Sequence, residues 1–377
     1  MSGMTAPLAT PIPTIPLNDG QSIPLLGLGT WPMSDDEAAR ALPTAIEIGY
    51  RLIDTAAKYE NEVGVGRGLA ASGVPREELY VTTKLRGSEQ GYESGKAALE
   101  RSLERLGLDY VDLYLIHWPL PRLDKYVDSY RAMVEQKDQG LIRSVGVSNF
   151  KTAHLRRLID EVGVVPAVNQ IQLSPAVARR EARAFHDEIG IVTQAWSPLG
   201  RQQRLTDDAT IGAIAEEYGR TPAQVMLRWD VQQGIVTIPK SSDPERQRTN
   251  ASVFDFELGD DAMERRGAGS WRRCGGRFRS ARGVLRRTAE PAWPTRGLKP
   301  GPAWSTRELA SRHQSARARA TAQRNQCTGT RFDAQFRNAG HRDRGLTDPR
   351  ARSATGSPTL DGAARRPSGR PPDPRLP

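Results

Sequence analysis

Four side chains able to move protons at neutral pH stand at or just past the ends of short apolar runs. Asp54 closes Leu52-Ile53-Asp54, and Tyr59 follows five residues later. Lys84 closes Tyr80-Val81-Thr82-Thr83-Lys84, and His117 closes the apolar run that begins at Val111. A charge at the end of an apolar strand is costly unless it is paired. Asp54 and Lys84, on neighbouring strands, would pair across a rim. A tyrosine beside that ammonium has its phenolate favoured and its pKa lowered. Such a phenol can protonate a developing alkoxide. Taken singly, each of these residues reads as a solvated loop residue or a satisfied structural one. The joint pattern is what carries the reading.

Two further groupings could hold a ligand. Ser148, Asn149 and Gln170 offer neutral hydroxyl and amide groups at successive strand ends. They suit a carboxamide, which needs both a donor and an acceptor, such as that of a nicotinamide. Trp196 adds a flat face for stacking, although core packing explains a lone Trp equally well. Lys240-Ser241, Arg246 and Asn250 form the other grouping. Its two cations are six residues apart and could converge on a phosphate. Gly64-Val65-Gly66-Arg67-Gly68 is not a dinucleotide fingerprint, because it lies inside a helical run instead of following a strand directly. Small residues that pack a helix against a barrel are the better reading.

The elements that must position these groups follow a regular alternation. Thr14 to Pro24 reads as a hairpin turning at Asp19-Gly20. Strands are expected at 25–28, 52–54, 79–84, 111–116, 144–147, 167–170, 191–195 and 236–239. Amphipathic helices are expected at 35–48, 61–72, 91–106, 126–140, 152–162, 179–189, 207–218, 221–233 and 244–252. Eight βα repeats in about 250 residues suit a closed parallel barrel or an open doubly wound sheet. Asp54, Lys84, His117, Asn149, Gln170 and Ser197 fall at the ends of six different strands. An open sheet would gather its functional groups at one switch point, so a (β/α)8 TIM barrel is expected, preceded by the hairpin.

These blocks resemble the aldo-keto reductase superfamily. Leu52-Ile53-Asp54-Thr55-Ala56 with Tyr59 and Glu62-Val63-Gly64, Thr83-Lys84, and Leu113 to Pro119 carry the likeness. So do Gly146 to Phe150, Val168-Asn169-Gln170, Ala195 to Gly200 and Ile238-Pro239-Lys240-Ser241. They occur in the family's order and spacing from about Ile15 to Asp261, most like the bacterial 2,5-diketo-D-gluconate reductase branch. The resemblance implies an NADPH-dependent oxidoreductase that reduces aldehydes or ketones to alcohols without a metal. Tyr59 would be the general acid, Lys84 paired with Asp54 would activate it, and His117 would orient the carbonyl. Thr30, Ser148, Asn149, Gln170, Trp196, Ser197, Leu199, Lys240, Ser241, Arg246 and Asn250 would bind NADPH, the last group at its 2′-phosphate and adenine. Trp31 and Trp118 would wall the substrate pocket. Two rival readings are a barrel that binds NADPH without efficient turnover and nonspecific nucleic-acid binding through the basic end of the chain.

Composition divides the chain. Residues 263–377 hold 26 of the 54 Lys and Arg and only 8 of the 44 Asp and Glu, a net of +18 against −8 for residues 1–262. Of those 26 cations, 25 are Arg, and the stretch has no Ile. So little apolar surface cannot offset the entropy of ordering, so disorder is expected there. The abrupt switch to Arg, Ala, Pro and Gly looks like out-of-frame translation of GC-rich coding sequence, with a genuine disordered extension as the rival. The resemblance implies a final helix and a loop that roofs the pocket, and this segment stands in their place. Its charge would attract nucleic acid only nonspecifically, because it carries no recognition fold or stacking pattern. The expected division is therefore a flexible 1–14, a barrel at 15–262 and a basic tail at 263–377. Both cysteines, Cys274 and Cys327, lie in the tail, which excludes a disulfide framework in the body. No apolar run is long enough to cross a membrane, and the N-terminus does not read as a signal peptide. A cytoplasmic monomer acting on a small carbonyl compound is expected.

Overall fold

The computed structural model describes residues 8–200 and 204–265 of the chain. The expected disorder of the basic tail falls on residues outside that range from 266 onward.

Strands β1 (Thr14–Pro16) and β2 (Ser22–Pro24) form the antiparallel hairpin in register Ile15 to Ile23. Its turn holds Gly20 at φ 84°, and Asp19 Oδ1 accepts from Gln21 N. Eight parallel strands follow: β3 (Gly27–Gly29), β4 (Leu52–Asp54), β5 (Tyr80–Leu85), β6 (Val111–Ile116), β7 (Ile142–Ser148), β8 (Val168–Gln172), β9 (Val192–Trp196) and β10 (Val236–Thr237). Each pairs with the next in chain order. The ring closes where β10 meets the lead-in to β3: Thr237 N donates to Leu25 O at 2.9 Å, and Gly29 N to Pro239 O at 3.1 Å. Gly29 is needed at this seam, because a Cβ there would stand 2.9 Å from the Ile238 carbonyl oxygen. β5 and β6 are buried along their whole length instead of alternating, since helices cover their outer face and side chains fill the inner one.

The helices are α1 (Asp35–Ile48), α2 (Glu62–Ala71), α3 (Tyr92–Leu106), α4 (Tyr126–Asp138), α5 (Thr152–Val162), α6 (Arg180–Ile189), α7 (Ala209–Glu217), α8 (Pro222–Val231), α9 (Pro244–Ala251) and α10 (Asp260–Glu264). Their starts follow local chemistry. Ser34 caps α1 in a capping box with Glu37, and Thr221 does the same for α8 with Gln224. Asp243 caps α9, and Pro222 and Pro244 stand in the first turns of α8 and α9, where a missing N–H costs nothing. The three glycines of α2 pack helix on helix more than helix on barrel. A Cβ on Gly64 would lie 2.1 Å from Asp35 O in α1, and one on Gly66 would lie 2.3 Å from Leu106 O in α3.

Two features of the described ends bear on the expected division. The N-terminal segment is not free throughout 1–14, because Leu8 N donates to Ile48 O and Leu8 packs on the main core. The boundary expected after residue 262 falls inside α10. That helix has a small apolar face: Ala262 is buried, Met263 joins a cluster with Trp229, Leu258 and Ile214, and Trp229 Nε1 donates to Met263 O. Among the described residues no helix is long and apolar enough to cross a membrane.

Candidate active site

Strand ends β3 to β9 deliver their polar groups to one mouth of the barrel. There a cavity of about 540 Å³ is lined by Thr30, Trp31, Asp54, Lys58, Tyr59, His117, Trp118, Ser148, Asn149, Gln170, Trp196, Ser197, Leu199 and Lys240, with Gly29, Pro32, Pro198 and Ile238. Asp54 and Lys84 are buried at the ends of β4 and β5, and Lys84 Nζ donates to Asp54 Oδ1 at 2.5 Å. The same ammonium donates to Thr55 O at 2.8 Å and reaches Tyr59 Oη at 3.4 Å. Asp54 Oδ2 accepts from Gln170 Nε2 at 2.7 Å, so both carboxylate oxygens are held.

Tyr59 is placed by its neighbours. It ends a single 3₁₀ turn, Ala57–Tyr59, that Glu60 closes in the left-handed region at φ 58°. Asn61, fully buried, then anchors the turn: it accepts from Thr55 Oγ1 and donates to the carbonyls of Thr30 and Met33. Glu62 accepts from Thr83 Oγ1 at 2.6 Å and pairs with Arg105, which fixes the start of α2 against β5 beside Lys84. The Tyr59 ring lies 5.3 Å from Trp31 and 5.6 Å, edge to face, from His117.

Burial and charge set the ionisation of the cluster. Burial pulls Lys84 down, but Asp54 and Tyr59 outweigh it, and its ammonium is held above the ordinary lysine value. Burial raises the Asp54 carboxyl against the pull of Lys84 and Gln170, so the two titrate as a pair. Burial, then the cations Lys84 and Lys58, push His117 down to about 3, which leaves a neutral imidazole at physiological pH. His117 Nδ1 is buried without a protein partner. The arrangement presents a phenol backed by an ammonium, and a neutral imidazole, to one cavity. It suits a carbonyl oxygen that gains charge.

The aldo/keto reductase family model matches residues 25–266. This chain belongs to the aldo/keto reductase family. An aldo-keto reductase of Mycolicibacterium smegmatis is 54% identical over 246 residues, 65% of this chain and 89% of that protein. The 2,5-diketo-D-gluconic acid reductase B of a Corynebacterium species is 50% identical over 253 residues, covering 67% of this chain and 91% of its own length. A solved structure of a Gox0644 mutant in complex with NADPH superimposes with a TM-score of 0.65 at 45% identity, over 67% of this chain and 92% of that one.

In this aldo/keto reductase the expected cofactor residues are brought together unevenly. Ser148, Asn149, Gln170 and Trp196 meet at the cavity, and they are already linked to one another. Ser148 Oγ donates to Gln170 O, Asn149 Nδ2 to Ser148 Oγ and His117 O, and Trp196 Nε1 to Asn149 Oδ1. Thr30, Ser197 and Leu199 line the same space, and Ser197 is held there at φ 53°. Lys240 is exposed at the rim, bonded to Ser242 Oγ at 3.4 Å and in no ion pair among the described residues. Ser241 turns its hydroxyl to the start of α9, accepting from Asp243 N. Arg246 and Asn250, one turn apart on α9, do not line the cavity; Arg246 is exposed and Asn250 buried. A ligand reaching all of them must leave the cavity past Lys240 and run along α9.

Sequence reasoning did not single out Lys58, Asn61 or Gln194. Lys58 lines the cavity, Asn61 anchors the tyrosine turn, and buried Gln194 Oε1 accepts from Gln170 Nε2 at 3.1 Å. Asn61 could have been suspected from its place directly after the Tyr59 turn. Gln194 gives no such signal, because an inward-facing position in a strand is indistinguishable from an outward one until the ring closes.

Proposed function

We propose that this aldo/keto reductase reduces a small aldehyde or ketone to an alcohol with NADPH, and that Tyr59, Lys84, Asp54 and His117 carry the proton transfer. The observation that supports the assignment most is the 3.4 Å approach of the Lys84 ammonium, itself held by Asp54, to the phenol oxygen of Tyr59. The residues present fit the cofactor. Trp196 offers a half-buried ring at the cavity, Ser148, Asn149 and Gln170 offer amide and hydroxyl groups beside it, and Lys240 offers a cation at the rim. Bound NADPH supplies the hydride.

The chain's own residues then do the rest. His117, neutral and edge-on to Tyr59, donates a hydrogen bond to the carbonyl oxygen and aims it at the phenol. Tyr59 Oη gives its proton to that oxygen as charge develops on it. Lys84 stabilises the phenolate left behind, and solvent restores the proton. Asp54 keeps Lys84 charged and pointed at Tyr59. Trp31 and Trp118 flank the opening and exclude water from the apolar part of the substrate. The chain acts as a cytoplasmic monomer in this reading. The body carries no cysteine that could form a disulfide.

Tyr59→Phe removes the proton donor without changing the shape of the turn. Turnover falls by a factor of at least about 10², while NADPH binding, followed by quenching of tryptophan fluorescence, stays near that of the wild type. A mutant that keeps the wild-type rate removes Tyr59 from the role of acid. Loss of NADPH binding in the same mutant shows that the phenol holds the cofactor instead.

A further inference from the structure

The cavity carries a charge that the reduction itself does not use. Asp54 is its one anionic lining residue among those described, and Lys84 neutralises it. Lys240 lies on the rim with the residues assigned to the cofactor. Lys58 stands in the tyrosine turn between Ala57 and Tyr59, after β4, and lines the cavity with Trp31, His117 and Trp118. Its ammonium is near enough to His117 to depress the imidazole electrostatically. Among the described residues it makes no ion pair, and the closest acidic residue in sequence, Glu60, is held by Arg86 at 3.3 Å.

Lys58 is exposed, so its charge faces solvent at the cavity mouth and is open to an anionic ligand. Attraction between opposite charges at the mouth of an apolar cleft raises the local concentration of an anionic ligand and orients it. The exposed rings of Trp31 and Trp118, 46% and 48% accessible, supply apolar surface for the body of such a molecule. We propose that Lys58 selects carbonyl substrates that carry a carboxylate, with the carboxylate at Lys58, the apolar or aromatic body between Trp31 and Trp118, and the carbonyl at Tyr59 and His117. The chemical class is an oxo acid: an aldehyde or ketone whose chain or ring ends in a carboxylate. This proposal rests on the carbonyl-reductase reading and deepens it. The reaction that consumes the product must then accept a hydroxy acid.

The test uses full-length protein with NADPH and two matched pairs of probes. One pair is 4-carboxybenzaldehyde and its methyl ester, and the other is succinic semialdehyde and its methyl ester. The two spacings between carbonyl and carboxylate cover a rigid and a flexible substrate. For at least one pair, wild-type kcat/KM favours the acid over the ester. In Lys58→Met that ratio drops by about fivefold, the size expected of a partly exposed ion pair, through KM of the acid. Lys58→Arg restores the ratio, and added salt erodes it in the wild type but not in Lys58→Met. An unchanged ratio in Lys58→Met, with both members of each pair still reduced, overturns the assignment of Lys58 and leaves the reductase reading standing. A wild-type preference for both esters overturns it as well. Failure of the wild type to oxidise NADPH with any of the four probes counts against the reductase reading, and the proposal falls with it.

Discussion

Lys240 shows how much of the cofactor choice can rest on a single side chain. NADPH differs from NADH by one phosphate, and a phosphate is recognised chiefly by charge-assisted hydrogen bonds. Lys240 stands at the rim without an ion-pair partner among the described residues, and exposed Arg246 follows it on the next helix. Lys240→Ala should therefore weaken NADPH by about tenfold or more while leaving NADH nearly unchanged. Paired Kd measurements for the two cofactors check this. Equal losses for both would take the 2′-phosphate away from Lys240. At the same scale, His117 illustrates a charge state that only surroundings can set. An ordinary histidine titrates near neutrality, but burial with Lys84 and Lys58 close by holds this one neutral, so it can donate a hydrogen bond without competing for the proton of Tyr59.

At the scale of elements, β8 and the helix that covers it share a buried histidine. His186 in α6 accepts from Asn169 Nδ2 at 2.9 Å and therefore turns its protonated Nδ1 to Thr193 Oγ1, also at 2.9 Å. Asn169 precedes Gln170, so this contact lies directly behind the cofactor side of the site. Burial, then Arg183, pushes His186 down to about 4, whereas an unfolded chain returns it to about 6.5. Between those values the unfolded state binds the extra proton, so stability falls as pH drops from about 6.5 towards about 4. The full loss is about 3 kcal/mol at its lower limit. Urea unfolding at a series of pH values should show this slope, and His186→Gln should flatten it. An equal slope in the mutant would assign the acid sensitivity to other groups. The α2 glycines make a related point. Their pattern correctly signals close packing, but which neighbours come close, α1 at Gly64 and α3 at Gly66, depends on helices distant in sequence.

For the whole molecule, the question is where the barrel stops. A second hydrophobic cluster, containing Ile171, Leu173, Ala195, Leu205, Ile214, Met226 and Trp229, is finished by Leu258, Ala262 and Met263. Gln232 ties this end down, donating to Leu258 O and accepting from Leu258 N. We propose that the functional domain runs through Arg265 and that the Arg-rich segment beyond it is foreign to the barrel, as its composition argues. A chain ended after Arg265 should keep its melting temperature and its NADPH oxidation rate. One ended after Glu257 should lose several degrees of melting temperature, because burying Leu258 alone is worth about 2–5 kcal/mol. If the chain ended after Arg265 fails to fold, the basic segment is part of the domain.

Sequence determined the periodic features. Every barrel strand and its helices lay within a few residues of their expected places, because burial on both faces forces continuous apolar runs in strands and caps fix where helices begin. It also named Asp54, Tyr59, Lys84 and His117, since costly polar groups at apolar strand ends need a reason to be there. Tertiary structure alone decided which of the polar groups share a cavity. Closing the ring brought Gln170 onto Asp54, 116 residues away in sequence, and placed Lys58 on the cavity wall, while Arg246 and Asn250 stayed outside it. Those are distances across a closed sheet, and no local pattern of residues encodes them.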